Sequence, residues 1–160
     1  QGQVVSPVNF NSPGQVVIAG NKEAVERANV LMKASGAKRA LPLPVSVPSH
    51  CALMRPAAEK LAAALADIEL QAPAIPVINN VDVAQETDPA RIKDALVRQL
   101  FSPVRWTETV AAMADAGVTL EVEMGPGKVL TGLAKRIDAR VEGVAMNDPA
   151  SLQDVQAKVS

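Results

Sequence analysis

From Pro48 onward, short β-rich runs alternate with stretches of helical periodicity, and no feature of the sequence constrains the fold more. Pro56 suits the first residue of a helix running to about Asp67, with Ala57, Leu61, Leu65 and Ile68 along one face. Pro76–Asn79 reads as a short buried strand, and Asp88-Pro89 caps a helix through Leu100 that Ser102-Pro103 interrupts. A helix over about Arg105–Ala116 stops at Gly117. A strand over Val118–Glu123, a helix over Pro126–Ile137, a strand over Val141–Ala145 and a short helix from Asp148 complete the pattern. Strands that alternate with helices favour a parallel sheet covered on both faces, so the fold class is α/β.

The first third has a different texture, β-β-α-β. Val4–Asn9 and Gln15–Ala19 are short β-rich runs joined by a turn at Asn11-Ser12-Pro13-Gly14. A helix follows, with Asn21 as N-cap, Val25, Ala28, Leu31 and Met32 on one face, and Gly36 as its stop. Ala40–Val47 then alternates extended residues with prolines, as an exposed or edge segment does. Four such elements are too few to close a small domain, so a partner strand and helix are expected upstream. The start at Gln1-Gly2-Gln3, with no initiator Met, reads the same way, as one piece of a longer enzyme.

Composition removes several function classes. Lys plus Arg is 16 and Asp plus Glu is 17, giving a net charge of −1 and none of the positive surface a nucleic-acid binder needs. Phe10, Phe101 and Trp106 are the only aromatic residues, too few to stack bases. A single cysteine, Cys51, cannot form an internal disulfide, and no clustered metal ligands are visible. No apolar run approaches the ~18–20 residues of a membrane span, and no secretory signal is evident. The expected compartment is the cytoplasm.

Few residues here could carry chemistry. His50 is the only histidine, at an extended-to-helix junction, and it reads either as a general base poised near neutral pH or as a capping or surface residue. Cys51 beside it is a small buried thiol rather than a partner, since adjacent residues on a helical turn point about 100° apart. Gly125-Pro126-Gly127-Lys128 follows a strand and opens a helix, the setting of an anion site, yet it lacks the P-loop spacing. A tight strand-to-helix turn is a better account of it than nucleotide binding. No Gly-x-Ser-x-Gly elbow occurs, and Ser46 and Ser49 lie too close in sequence to His50 to serve as its nucleophile.

Four stretches together resemble the bacterial malonyl-CoA:acyl-carrier-protein transacylases of type II fatty acid synthesis. They are Ser6–Gly20 (with Asn-Ser-Pro-Gly-Gln-Val-Val-Ile at its centre), Pro42–Met54 with Pro-Ser-His, Leu96–Leu100, and Gly125–Leu130. The resemblance follows the family's order over nearly the whole chain, weakening after about Asn147.

That resemblance implies an α/β-hydrolase-like lobe of parallel sheet with a ferredoxin-like small lobe inserted in it. Residues 1–46 are then part of the small lobe, and residues 47–160 the returning part of the large one. It implies malonyl transfer from coenzyme A to the phosphopantetheine thiol of acyl carrier protein through a malonyl-serine ester. No cofactor is implied, malonyl-CoA being a substrate. His50 matches the general base and acid, Gln99 the residue whose backbone carbonyl orients it, and Asn9 and Asn11 cleft-facing substrate contacts. Lys38, Arg39, Lys135 and Arg136 match positions near the cleft entrance and are candidates for docking the acidic carrier protein, or simply solvated faces. The serine elbow, the arginine for the malonyl carboxylate and the oxyanion-hole glutamine have no counterpart here. The expected partners are therefore acyl carrier protein, a coenzyme A thioester and the N-terminal half of the same enzyme, with no nucleic acid or membrane. The alternatives are a non-catalytic carrier-protein-binding module, or an acyltransferase lobe of a polyketide synthase.

Overall fold

The computed structural model describes residues 2–159; Gln1 and Ser160 lie outside the described residues. The chain is a mixed α/β fold with a parallel strand pair and helices. It divides into two compact units: one holds the described residues up to Phe10 together with Val16–Arg105, the other Asn11–Gln15 and the described residues from Trp106 onward.

β1 (Val5–Ser12) and β2 (Gln15–Gly20) are hydrogen-bonded neighbours in a two-stranded sheet. The strands run further than the turn signals suggest, through Asn11 and Ser12, so the reversal is left to Pro13 and Gly14, the latter at φ 76°. A link this short allows only an antiparallel pair.

In the first unit, α1 (Lys22–Ala34) ends as the sequence predicts. Gly36 adopts φ 92°, its N–H donates to Lys33 O at 3.1 Å, and the Ala37 N–H donates to Met32 O at 2.9 Å. This is a Schellman closure, which needs the left-handed residue that glycine supplies. Two expectations at α1 are corrected. Asn21 stands at the N-cap, but its Oδ1 accepts the Val4 N–H at 2.8 Å instead of capping the helix. Leu31 is exposed, and Ala24 is the buried position of α1. Leu41–Val47 is open to solvent as expected but forms no strand, since Pro42 and Pro44 withhold donors, while Ala40 at its start is buried.

After a 3₁₀ turn at Ala52–Met54, α2 (Arg55–Ala66) begins one residue before Pro56 and buries Ala58, while Ile68 lies beyond its end and is exposed. Pro76–Asn79 is not the buried strand the sequence suggests. It contributes one antiparallel bridge, Ile78 to Gln85, and Val77 is exposed, because no second strand runs alongside among the described residues. α3 (Pro89–Arg98) starts where predicted, with Asp88 Oδ1 accepting the Ala90 N–H at 2.8 Å.

The second unit holds α4 (Trp106–Asp115), β3 (Leu120–Met124), α5 (Val129–Ile137), β4 (Glu142–Met146) and α6 (Pro149–Val159). β3 and β4 pair in parallel with Leu120 opposite Glu142 and Met124 opposite Met146, and α5 is the crossover between them. The core here is Val110, Ala114, Ala134 and Val141, with Trp106, Met113 and Ile137 packed against it. Small residues at these positions let helix and strand approach closely.

Candidate functional site

The extended segment before His50 ends in a tight turn. The Ser49 N–H donates to Val47 O at 2.9 Å, and the Cys51 thiol, 2 % exposed, donates to Pro48 O at 3.2 Å. Cys51 thus staples the turn, and its thiol is buried as predicted. His50 itself lies at φ 63°, in the left-handed region that few non-glycine residues occupy. Such a conformation persists where the surroundings enforce it. Here they do: the His50 N–H donates to Leu100 O at 3.0 Å, and the ring nitrogen Nδ1 lies 2.8 Å from Gln99 O.

Both acceptors stand just past the end of α3, where Gln99 is the C-cap. Carbonyls at a helix C-terminus lack intrahelical donors and are free to bind something else. A carbonyl oxygen only accepts, so Nδ1 carries a proton in this contact, and in the neutral ring Nε2 is the nitrogen with the free lone pair. In the neutral ring this contact selects the Nδ1–H tautomer, and it does so without an acidic partner. The contact expected between His50 and Gln99 is therefore present, across 49 positions of sequence.

The segment carrying those carbonyls also meets β1. Val104 forms a parallel bridge with Asn9, the Phe10 N–H donates to Val104 O at 2.9 Å, and the Val104 N–H donates to Val8 O at 2.8 Å. Asn9 is half-buried on that strand; Asn11, also half-buried, is grouped with the other unit. Arg55 places its guanidinium 4.4 Å from the Phe101 ring centroid, tying the helix after His50 to the same segment. Gln99 additionally borders an apolar cavity of about 250 Å³ lined by Leu70, Pro73, Val77, Ile92 and Leu96.

The basic pairs are not brought together within one unit. Lys38 and Arg39 are exposed after α1 in the first; Lys135 and Arg136 are exposed in the last turn of α5 in the second, where Arg136 Nη1 donates to Gln15 Oε1 at 2.6 Å.

The Gly125–Lys128 turn carries its own anion. Glu123 accepts the Val129 N–H at 3.0 Å, the Thr131 N–H at 2.8 Å and the Thr131 hydroxyl at 2.9 Å. These bonds, the Thr131 N–H foremost, hold its carboxyl below the usual range. The N-terminus of α5 is thereby filled from within, which favours the tight-turn reading over nucleotide binding. A Cβ on Gly127 would stand 3.3 Å from Glu123 Oε1 and would crowd that carboxylate. Burial, with the Glu123 charge second, pushes Glu121 up.

Sequence reasoning missed the Arg98 cluster next to Gln99. Arg98 donates a fork to Asp82, Nη1 to Oδ1 at 2.8 Å and Nη2 to Oδ2 at 2.7 Å, and its Nε donates to Asp94 Oδ2 at 2.6 Å. The signal available was the Asp94–Arg98 spacing of four on a helix; Asp82 lies in a loop and gave none.

Comparison with known proteins adds to this geometry. Residues 2–148 match the family described as the acyl transferase domain. A curated relative from Salmonella typhimurium, malonyl CoA-acyl carrier protein transacylase, is 68% identical over 152 residues, covering 95% of this chain and 49% of the relative. The 1.7 Å crystal structure of an acyl carrier protein S-malonyltransferase from Vibrio cholerae is 73% identical with a TM-score of 0.94, covering 97% of this chain and 51% of that one. A malonyl-transacylase solved in complex with its type II PKS acyl-carrier protein is 63% identical with a TM-score of 0.97, covering 99% and 51%. The chain spans about half the length of the curated relatives it matches. With nearly its whole length matched in sequence and in backbone, the chain belongs to the acyl transferase domain family.

Proposed function

We propose that this chain supplies the proton-transfer half of a malonyl-CoA:acyl-carrier-protein transacylase, with His50 as general base and acid. The observation that carries the reading is the 2.8 Å contact of His50 Nδ1 with the Gln99 carbonyl, which leaves Nε2 as the basic atom. In the first half-reaction Nε2 takes the proton of a serine hydroxyl contributed by the other half of the enzyme. The serine oxygen bonds to the malonyl thioester carbon, the C–S bond breaks, and the imidazolium returns the proton to the departing coenzyme A sulfur. The second half-reaction repeats these steps in reverse order, with the phosphopantetheine thiol of acyl carrier protein as the acceptor. A base placed this way contributes roughly 10²–10⁴-fold. The transfer requires no cofactor, because malonyl-CoA is consumed as substrate.

The same reading places Asn9 and Asn11 against the acyl or pantetheine part of the substrate. It assigns Lys38, Arg39, Lys135 and Arg136 to the carrier-protein dock, where positive charge suits an acidic partner. Residues 1–46 are assigned to a ferredoxin-like small subdomain and 47–160 to an α/β-hydrolase-like large one. The enzyme is assigned to the cytoplasm.

The test is His50→Ala in the full-length enzyme, followed by malonyl transfer and by circular dichroism. A loss of several orders of magnitude with an unchanged spectrum is expected. Near-normal turnover refutes the assignment.

A further inference from the structure

The segment Arg98–Arg105 carries the two carbonyls that hold His50, and both of its ends are tied to one loop, Asn79–Ala84. At the first end Arg98 makes its two-pronged bond to Asp82, at 2.8 and 2.7 Å. At the second, the Arg105 N–H donates to Asn80 O at 3.3 Å and Arg105 Nη1 to Val81 O at 3.4 Å. The loop is itself held closed. The Asp82 N–H donates to Asn79 Oδ1 at 2.7 Å, Asn79 Nδ2 donates to Ala84 O at 3.0 Å, and the Asn79 N–H donates to the same carbonyl at 2.9 Å. Val83, a β-branched residue, is forced to φ 57° within it. A branched side chain in that region is strained, and the strain persists only where the surroundings over-determine the backbone. Asp94 lies on α3 itself, so its 2.6 Å bond to Arg98 Nε aligns the guanidinium along its own helix and leaves the fork for Asp82.

We propose that Asp82 and Arg98 are positioning residues for the reaction, setting where α3 ends so that the Gln99 carbonyl meets His50 Nδ1. This inference rests on the reading of His50 as the proton-transfer residue. The side chains of both residues are about a third exposed (34% each), where solvent screens the charges, so a change in stability is not the readout of their role. A merely structural pair would therefore leave both the reaction and the state of the His50 ring untouched.

The experiment uses the full-length enzyme with Asp82→Asn, Asp82→Glu and Arg98→Lys. For Asp82→Asn we expect kcat for malonyl transfer to fall by about 10-fold to ~10²-fold, as a misplacement near 1 Å does, with KM for malonyl-CoA unchanged. In substrate-free enzyme, the ¹⁵N resonances of His50, assigned by difference from His50→Ala, should change from the Nδ1–H tautomer to a mixture. Asp82→Glu should restore most of both readouts. Should Asp82→Asn fail to fold, Arg98→Lys carries the same readouts, since it keeps the charge but loses the fork. A parent-like kcat together with a parent-like His50 tautomer overturns the proposal, whatever happens to thermal stability. A parent enzyme that transfers no malonyl would sink the function proposed above, while the ring tautomer would still decide the positioning role.

Discussion

Replacing Gly143 by alanine puts a methyl group where β4 and α5 come closest. A Cβ on Gly143 would stand 2.9 Å from Thr131 O, 3.1 Å from Thr131 Cα and 3.2 Å from Ala134 Cβ. All three atoms belong to the backbone or are fixed rigidly to it, so no side chain can rotate away. Relief requires α5 to withdraw from β4 by about half an ångström, against a core in which Ala134 is 0% exposed and Val141 2%. Overpacking of this kind costs about 1–3 kcal/mol, and the stiffer unfolded chain of alanine gives back roughly 0.4–1. The net expectation is a loss of about 1–2 kcal/mol, which at a slope of roughly 2 kcal/mol/M lowers the urea midpoint by about 0.5–1 M. Gly132 is the internal control, since a Cβ there meets nothing within 4 Å on the same helix α5. Gly132→Ala should stabilise by roughly 0.5–1 kcal/mol through helix propensity. The assay is equilibrium urea unfolding of full-length enzyme followed by circular dichroism. If Gly143→Ala is neutral or shifts the midpoint upward as Gly132→Ala does, the close contact of β4 with α5 is not what fixes glycine there.

Other outcomes are equally checkable. Arg140 holds Asp138 down to about 2 from an ordinary 3.8, by its side-chain bonds first and its N–H second. A carboxyl depressed in the folded state adds stability above its unfolded pKa and loses it as pH falls through the folded one. Asp138→Asn should therefore weaken the enzyme above pH 4 and flatten the part of its acid-unfolding curve between about 4 and 2. An unchanged curve across that window would contradict the pairing. Arg39→Glu with Arg136→Glu should raise the KM for acyl carrier protein and spare loading from malonyl-CoA, with the defect shrinking as salt is added; equal damage to both half-reactions returns these residues to solvated faces. The 160-residue chain by itself should transfer no malonyl and should self-associate through exposed Leu41, Val45, Ile75 and Val77, and a monomer by sedimentation would contradict this.

Local chemistry made much of this molecule legible before any tertiary contact was known. Asp88-Pro89 announced the start of α3, and Gly36 and Gly117 announced the ends of α1 and α4, because capping bonds and left-handed φ are satisfied within a few residues. Periodicity likewise placed β3, α5 and β4 to within a few residues and made the sheet parallel. The residue types named His50, and the resemblance supplied Gln99. Where side chains go was another matter. Asn21 sits at a cap position yet bonds Val4, Leu31 lies on the apolar stripe yet faces solvent, and Pro76–Asn79 has a strand's composition without a strand beside it. Each outcome depends on what lies across space, which a local pattern does not encode. Glu123 took the anion's place at α5 because the turn brings its carboxylate back onto the helix N-terminus. Only the fold could set His50 at φ 63° and bring its ring, across 49 positions, to the unpaired carbonyl at the end of α3. The sequence alone determined which residue type could carry a proton; the tertiary structure decided which nitrogen of the neutral ring keeps its lone pair, because a tautomer is chosen by the partner the ring meets.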